Sequence, residues 1–296
     1  MERSVSKVAV LGAGLMGHGI AQVASQIAEY EVSMLDINQE LVEKGMKMIN
    51  GSMAKFVERG KLTKEQAGAV LSRIHPTVDV AEALSGSQLV IEAATEDPKL
   101  KLDLYGRISE LVEDDTVVAS NTSSISITLL ASALEHPEKV CGMHFFNPPQ
   151  LMTLVEIIRG NRTSDETVEF VRSVSQKMGK ETVVCRKDSP GFLVNRILVP
   201  ALNEAVFLVH EGVADPEDVD KAVKLGLNWP MGPLQLLDYV GLDTTLNITQ
   251  VFMQEFQDSK YRACPLLREM VRAGLLGRKS GKGFYEWGST GATKPK

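Results

Sequence analysis

The sequence predicts an α/β N-terminal domain with a mostly parallel sheet and a helical-hairpin insertion over residues 1–187, followed by an all-α C-terminal domain over residues 188–296. Three observations lead there. Short apolar runs alternate with longer helical patterns through the first part of the chain, the mark of a parallel sheet wrapped by helices. After Ser189-Pro190-Gly191, Phe192, Leu193, Ile197 and Leu198 recur at helical spacing, and no strand-like run follows as far as Arg272. The chain has 296 residues, more than the roughly 100 to 200 of a single domain.

In chain order, strands are expected at Lys7–Leu11, Val32–Asp36, Leu89–Ala94, Thr116–Ser120, Val140–Phe146, Leu154–Ile158 and Thr182–Cys185, the last closed by Lys187-Asp188. A helix over Gly19–Ala28 follows the first strand. Between the second strand and Ile74, residues 39–72 read as two helices joined near Arg59-Gly60-Lys61. That is longer than an ordinary crossover, and such insertions often serve a ligand. In the second domain Asp215-Pro216, Pro230, Gly232-Pro233 and Pro265 divide the pattern into several helices, because proline fits a first turn and not a helix interior. Residues 288–296 read as a loose tail.

Composition narrows the function classes. With 44% hydrophobic and 24% charged residues the chain resembles folded globular proteins rather than disordered ones. Thirty-two Lys plus Arg against 38 Asp plus Glu give a net charge of −6, which argues against nucleic acid or an anionic membrane as partner. No apolar run approaches the roughly 18 residues of a membrane span, and Met1–Lys7 is too short and polar for a secretory signal. Cys141, Cys185 and Cys264 are widely separated and odd in number, so free thiols in a reducing cytoplasm are expected. His18, His75, His136, His144 and His210 show no two-histidine metal spacing, and no metal is expected.

Gly12-Ala13-Gly14-Leu15-Met16-Gly17 fits G-x-G-x-x-G between an apolar strand and a helix. Gly12 permits the tight turn, Gly14 lets the backbone approach a pyrophosphate, and Gly17 lets the helix pack on the strand. The helix N-terminus offers free N–H groups and a positive dipole end to that diphosphate. Asp36 ends the next strand, where a carboxylate can accept hydrogen bonds from both hydroxyls of an adenosine ribose. This ordered set predicts a Rossmann-like dinucleotide site. Like charges in contact cost on the order of 4 kcal/mol at an effective dielectric of 20, so Asp36 disfavours a 2′-phosphate and NAD is expected over NADP. His18, just inside the helix, reads as a surface or packing residue.

Polar groups also gather at the ends of later strands: Ser120-Asn121-Thr122-Ser123-Ser124, His144-Phe145-Phe146-Asn147-Pro148-Pro149, and Glu156. His144 and Glu156 each interrupt an apolar strand, and burying either alone is costly. If the chain reverses around Gln150, residues whose numbers sum to about 300 face each other, which sets His144 opposite Glu156. A neutral imidazole beside a carboxylate can accept an alcohol proton while hydride leaves the same carbon. Position alone equally allows a satisfied buried pair without chemistry. Ser123 could hydrogen-bond the reacting oxygen or simply form a turn, and Asn195 faces either substrate or solvent. On the helix from Gln39, Lys44, Lys47, Lys55 and Arg59 fall within a third of the circumference. Glu40 and Glu58 share that face, which fits a solvated mixed-charge surface as well as a phosphate site.

Taken in order, Gly12–Gly17, Asn121–Ser124, His144–Pro148, Leu154-Val155-Glu156, Asp188-Ser189-Pro190-Gly191-Phe192, Val194-Asn195-Arg196, Pro230-Met231-Gly232-Pro233 and Asp238-Tyr239-Val240-Gly241-Leu242-Asp243 resemble the short-chain L-3-hydroxyacyl-CoA dehydrogenase family, over almost the whole chain. The resemblance implies NAD as cofactor, an acyl-CoA substrate with a short acyl chain, and a homodimer through the C-terminal domain. It implies that His144 is the acid/base and Glu156 its orienting partner, and that Ser123 and Asn195 hold the substrate oxygens. Cofactor contacts would fall to the loop Gly12, Gly14, Leu15, Met16 and Gly17, and to Asp36, Glu96, Lys101, Ser123, Asn147 and Lys279. Coenzyme A contacts would fall to Ser52 and Arg59, the latter at a position that can be lysine. Sugar-acid dehydrogenases and lens lambda-crystallins look similar over the first domain, and a non-catalytic NAD-binding protein could share the fold.

Overall fold

The structure, a computed structural model, describes residues 4–288 and 291–293. Its chain divides into two compact units, Met1–Ser189 and Pro190–Lys296.

The first unit is built on an eight-stranded sheet: β1 (Lys7–Leu11), β2 (Glu31–Leu35), β3 (Ile74–Thr77), β4 (Leu89–Glu92), β5 (Val117–Ser120), β6 (Val140–Phe145), β7 (Leu154–Arg159) and β8 (Glu181–Cys185), in the order β3-β2-β1-β4-β5-β6-β7-β8. Val8, Val10, Val32, Met34, Leu89 and Ile91 have no exposed surface, as strands covered on both faces require. The first six strands are parallel, β7 runs antiparallel to β6, and β8 is parallel to β7. The chain order reverses between β1 and β4, so the crevice at their carboxyl ends is where such a sheet gathers ligands.

Most of the sequence-based strand boundaries shift by one or two residues, and one strand is added. β3 is an additional edge strand whose Pro76 breaks the apolar run; proline lacks the N–H a central strand needs and is tolerated at an edge. β2 stops at Leu35, because the Asp36 carboxylate turns aside to accept the Ala13 and Ile37 amides at 2.7 and 2.8 Å. β4 stops at Glu92, whose carboxylate accepts the Ala94 amide at 2.7 Å and curls the chain out of the ladder. The helix α1 (Gly17–Gln26) starts two residues earlier than the sequence pattern and ends two residues earlier.

The insertion is the helical hairpin α2 (Gln39–Glu58) and α3 (Lys64–Ser72). Asn38 caps α2 by accepting the Leu41 amide, and Thr63 with Gln66 forms a reciprocal capping box on α3. Gly45 lets α2 lie against the glycine turn: a Cβ there would stand 2.7 Å from the Ala13 carbonyl oxygen. Helices α4 (Val80–Leu84), α5 (Pro98–Ser109), α6 (Ile127–Ala131) and α7 (Asp165–Lys177) complete the unit.

The second unit holds α8 (Val194–His210), α9 (Pro216–Gly226), α10 (Pro233–Val240), α11 (Leu242–Phe256) and α12 (Pro265–Arg272) around Leu202, Val206, Leu234, Leu237, Leu242 and Leu267. Proline opens α9, α10 and α12, as the sequence suggests, and Pro200 lies inside α8. The expected loose tail is corrected in part: β9 (Glu286–Gly288) pairs antiparallel with β10 (Gly291–Thr293), adding a small hairpin to the helices, and the rest of the tail lies outside the described residues. Two buried carboxylates tie this unit together. Asp238 accepts the Phe284 and Tyr285 amides at 2.9 Å each and the Trp287 indole N–H at 2.8 Å. Asp220 accepts the Leu234 and Gln235 amides and the Tyr285 hydroxyl.

Replacing Asp238 by alanine strands two buried amide donors, so the unfolding free energy is expected to fall by about 2–5 kcal/mol. Denaturant titration checks this; a loss under about 1 kcal/mol would mean that solvent or neighbouring groups satisfy those amides.

Candidate active site

The glycine turn joins β1 to α1. Gly12 has φ +107° and abuts the Ala93 carbonyl, and a Cβ on Gly17 would lie 1.7 Å from the Gly12 oxygen, so both positions exclude side chains. Around Gly14 the space is open, and Leu15 is exposed. The first turn of α1 carries no acidic residue and its N-cap makes no side-chain bond. The helix end therefore presents its amides and positive dipole to an anion. Asp36, held by the Ala13 and Ile37 amides, puts a carboxylate beside this turn. These features fit a dinucleotide.

Five strands further on, the antiparallel ladder of β6 and β7 sets His144 directly opposite Glu156. Glu156 is fully buried and His144 is 5% exposed; Nδ1 lies 2.7 Å from Oε2. A carboxylate only accepts, so the ring proton of a neutral His144 belongs on Nδ1 and the lone pair on Nε2. The Phe146 ring packs against the imidazole at 4.6 Å between centroids. Asn121, at the end of β5, accepts the Phe145 amide at 2.9 Å and locks the neighbouring strand end.

Between these two regions, Glu96 organises the loop after β5. Its Oε1 accepts the Thr122 hydroxyl at 2.6 Å, the Ser123 amide at 2.9 Å and hydroxyl at 3.2 Å, and the Ser124 amide at 3.2 Å and hydroxyl at 3.1 Å. Lys101 is buried, with its ammonium 2.5 Å from Glu92 and 3.5 Å from Glu96. Burial pushes the Glu96 carboxyl upward, but the Lys101 charge and the bonds from Thr122, Ser123 and Ser124 outweigh it and hold the group below the ordinary carboxylate range. Tyr105, also fully buried, has its hydroxyl pushed well up, by burial first and then by the Glu92 charge.

The first unit thus brings the glycine turn, Asp36, Glu96, Lys101, Ser123, His144 and Glu156 to one edge of the sheet. Asn147 is exposed just beyond β6, before a cis bond to Pro148. Ser52 is half-buried on α2, and Arg59 is its exposed C-cap residue, on the face of exposed Lys44, Lys47 and Lys55. In the second unit, Asn195 lies half-buried in the first turn of α8, and Lys279 pairs with Asp243 at 2.6 Å. His18 Nδ1 lies 2.8 Å from the Gly14 carbonyl oxygen, a contact within its own helix turn. Sequence reasoning passed over Glu92 and gave Asn121, named within its loop, no role of its own. Glu92 carries the same signal as His144 and Glu156, an ionisable group within an apolar strand. Among the described residues no group of His, Cys, Asp and Glu is arranged to hold a metal ion.

Two family models match the chain almost end to end. One described as 3-hydroxyacyl-CoA dehydrogenase, NAD binding domain, covers residues 7–189, and one described as 3-hydroxyacyl-CoA dehydrogenase, C-terminal domain, covers residues 191–287. The chain belongs to the 3-hydroxyacyl-CoA dehydrogenase family. Its first unit is the family's NAD-binding domain. A probable 3-hydroxybutyryl-CoA dehydrogenase of Deinococcus radiodurans is 50% identical over 281 residues, 95% of this chain and 100% of that protein. A probable 3-hydroxybutyryl-CoA dehydrogenase of Bacillus subtilis is 46% identical over 96% of this chain and 98% of its own length. Among solved structures, (S)-3-hydroxybutyryl-CoA dehydrogenase from Ralstonia eutropha superposes with a TM-score of 0.92 at 44% identity, covering 97% of this chain and 100% of that one. No helix among the described residues of this dehydrogenase-family chain is long and apolar enough to cross a membrane.

Because the folded pKa of Glu96 lies below its ordinary value of 4.5, its hold on the serine loop is fully present above that value and is lost as pH falls through the folded pKa. Carboxyl carbon NMR is expected to give Glu96 a titration midpoint below 4.5. A midpoint above it would contradict the ionised cradle.

Proposed function

We propose that this protein catalyses the reversible NAD-dependent oxidation of an L-3-hydroxyacyl-CoA to the 3-ketoacyl-CoA, with a short acyl chain such as 3-hydroxybutyryl. The observation that carries the reading is the 2.7 Å pair of buried His144 and Glu156, on the sheet edge that also carries the NAD-binding turn. NAD, when bound, supplies the acceptor for the hydride that leaves C3.

The residues of the chain do the rest. The glycine turn and α1 hold the diphosphate, Asp36 takes the adenosine ribose, and Glu96, Lys101, Asn147 and Lys279 complete the cofactor set. His144 Nε2 takes the proton of the 3-hydroxyl in oxidation and returns it in reduction. Glu156 keeps the ring oriented and stabilises the imidazolium that forms. Ser123 and Asn195 hold the substrate oxygens, so the reacting carbon is oriented before the chemistry. Ser52 and Arg59 take the coenzyme A portion, supported by the exposed lysines on the same face of α2.

The same reading makes the protein a cytoplasmic homodimer joined through its helical domain. Three buried free cysteines suit a reducing compartment. Exposed Ile197, Leu225 and Leu227, at 75%, 77% and 65%, offer apolar surface for a subunit contact.

NADH oxidation should be supported by acetoacetyl-CoA and not by free acetoacetate; turnover with neither would leave an NAD-binding protein without this activity. His144→Gln is expected to lower kcat by about 10²- to 10⁴-fold, the range of general acid–base catalysis, with little change in NADH affinity. A near-normal rate would remove this histidine from the mechanism. In Asp36→Ala the charge that repels a 2′-phosphate is gone, so the NADH/NADPH ratio of kcat/KM should fall by about tenfold or more. An unchanged ratio would dismiss the role given to that carboxylate.

A further inference from the structure

One charged group in the first unit has no part in the chemistry proposed above. Glu92 ends β4 with no exposed surface, and all three of its partners are donors: Lys101 Nζ at 2.5 Å, the Ala94 amide at 2.7 Å and the Ser120 hydroxyl at 2.7 Å. Two paths lead from it to one loop. Through Lys101, whose ammonium lies 3.5 Å from Glu96 Oε2, the first reaches the carboxylate whose other oxygen accepts the Ser123 amide and hydroxyl. Through Ser120, whose Oγ accepts the Thr122 amide at 3.2 Å, the second reaches the residue before Ser123.

The distances decide which carboxylate owns the lysine. An ammonium with 1% exposure must be paired, because its desolvation is large. Glu96 alone could meet that need only by moving toward Lys101, and its Oε1 would then leave the Ser123 and Ser124 amides. Glu92 takes the shorter contact, 2.5 against 3.5 Å, so Glu96 stays on the serines.

We propose that Glu92 is a positioning residue for the dehydrogenase reaction, acting through Lys101 and Ser120 on the Asn121–Ser124 loop to fix where the Ser123 hydroxyl stands. It touches neither cofactor nor substrate. The proposal rests on the reading that Ser123 holds a substrate oxygen, and its test separates the two. The kcat for acetoacetyl-CoA with NADH is measured for the wild type, Glu92→Gln, Ser123→Ala and the double variant, with NADH affinity alongside.

Glutamine keeps the shape of Glu92 and removes its charge. Displacing a reacting contact by about an ångström costs on the order of a hundredfold, so Glu92→Gln should lower kcat, read at saturating NADH, by about tenfold to a hundredfold. In the Ser123→Ala background the same change should cost less than about twofold, because both substitutions remove one interaction. A purely structural role would lower kcat by the same factor in both backgrounds, and that result overturns the proposal, as does wild-type kcat in folded Glu92→Gln. Unchanged kcat in Ser123→Ala would instead remove Ser123 from the reaction, and the relay with it. Should Glu92→Gln fail to fold, Ser120→Ala cuts the second path without stranding a charge. It is expected to show the same background dependence, and equal losses in both backgrounds overturn the proposal.

Discussion

An ionisable group inside an apolar strand can be kept there only by a partner, and this requirement shapes the functional edge of the sheet. His144 and Glu156 answer it for each other across β6 and β7. Glu92 answers it with Lys101, from a helix that follows β4 within a few residues. Removing one member of either pair would take a short polar contact from a buried charged or strongly polar group. The pairing therefore fixes side-chain positions more tightly than a solvated loop could.

The antiparallel turn at the end of a parallel sheet matters here. A seventh parallel strand would have entered from the opposite edge after a long crossover. Reversal through Pro148, Pro149 and Gln150 instead brings Glu156 back beside His144 in register, with β8 closing the far side of Glu156. The glycine turn sits at the other side of the same edge, where the order reverses between β1 and β4. One sheet thus carries both the glycine turn with its open helix end and the buried His144–Glu156 pair, without a long loop carrying either.

Much of this is legible in the chain. Strands buried on both faces read as uninterrupted aliphatic runs, and the two hairpin helices announce themselves through their length and the break near Arg59-Gly60-Lys61. The register of β6 and β7 follows from the short reversal, because residue numbers across a tight antiparallel pair sum to a constant; Cys141 faces Arg159 and His144 faces Glu156. Lys101 shows where such reading ends. In Lys99-Leu100-Lys101-Leu102 the two lysines look alike, yet Lys99 is exposed and Lys101 is buried against Glu92. Only the rotation of α5 against the sheet separates them. Asp220 and Asp238 were equally hidden, because the amides and side chains of Tyr285 and Trp287 that they hold come some fifty or more residues later. β3 was missed because its own proline argues against it.

Nitrogen-15 NMR of the histidine side chains tests the buried dyad most directly. With Glu156 accepting from Nδ1, neutral His144 should show a protonated Nδ1 and an unprotonated Nε2, the nitrogen to which the proposed function gives the proton transfer. The opposite tautomer, with the proton on Nε2 and a bare Nδ1 toward Glu156, would contradict it.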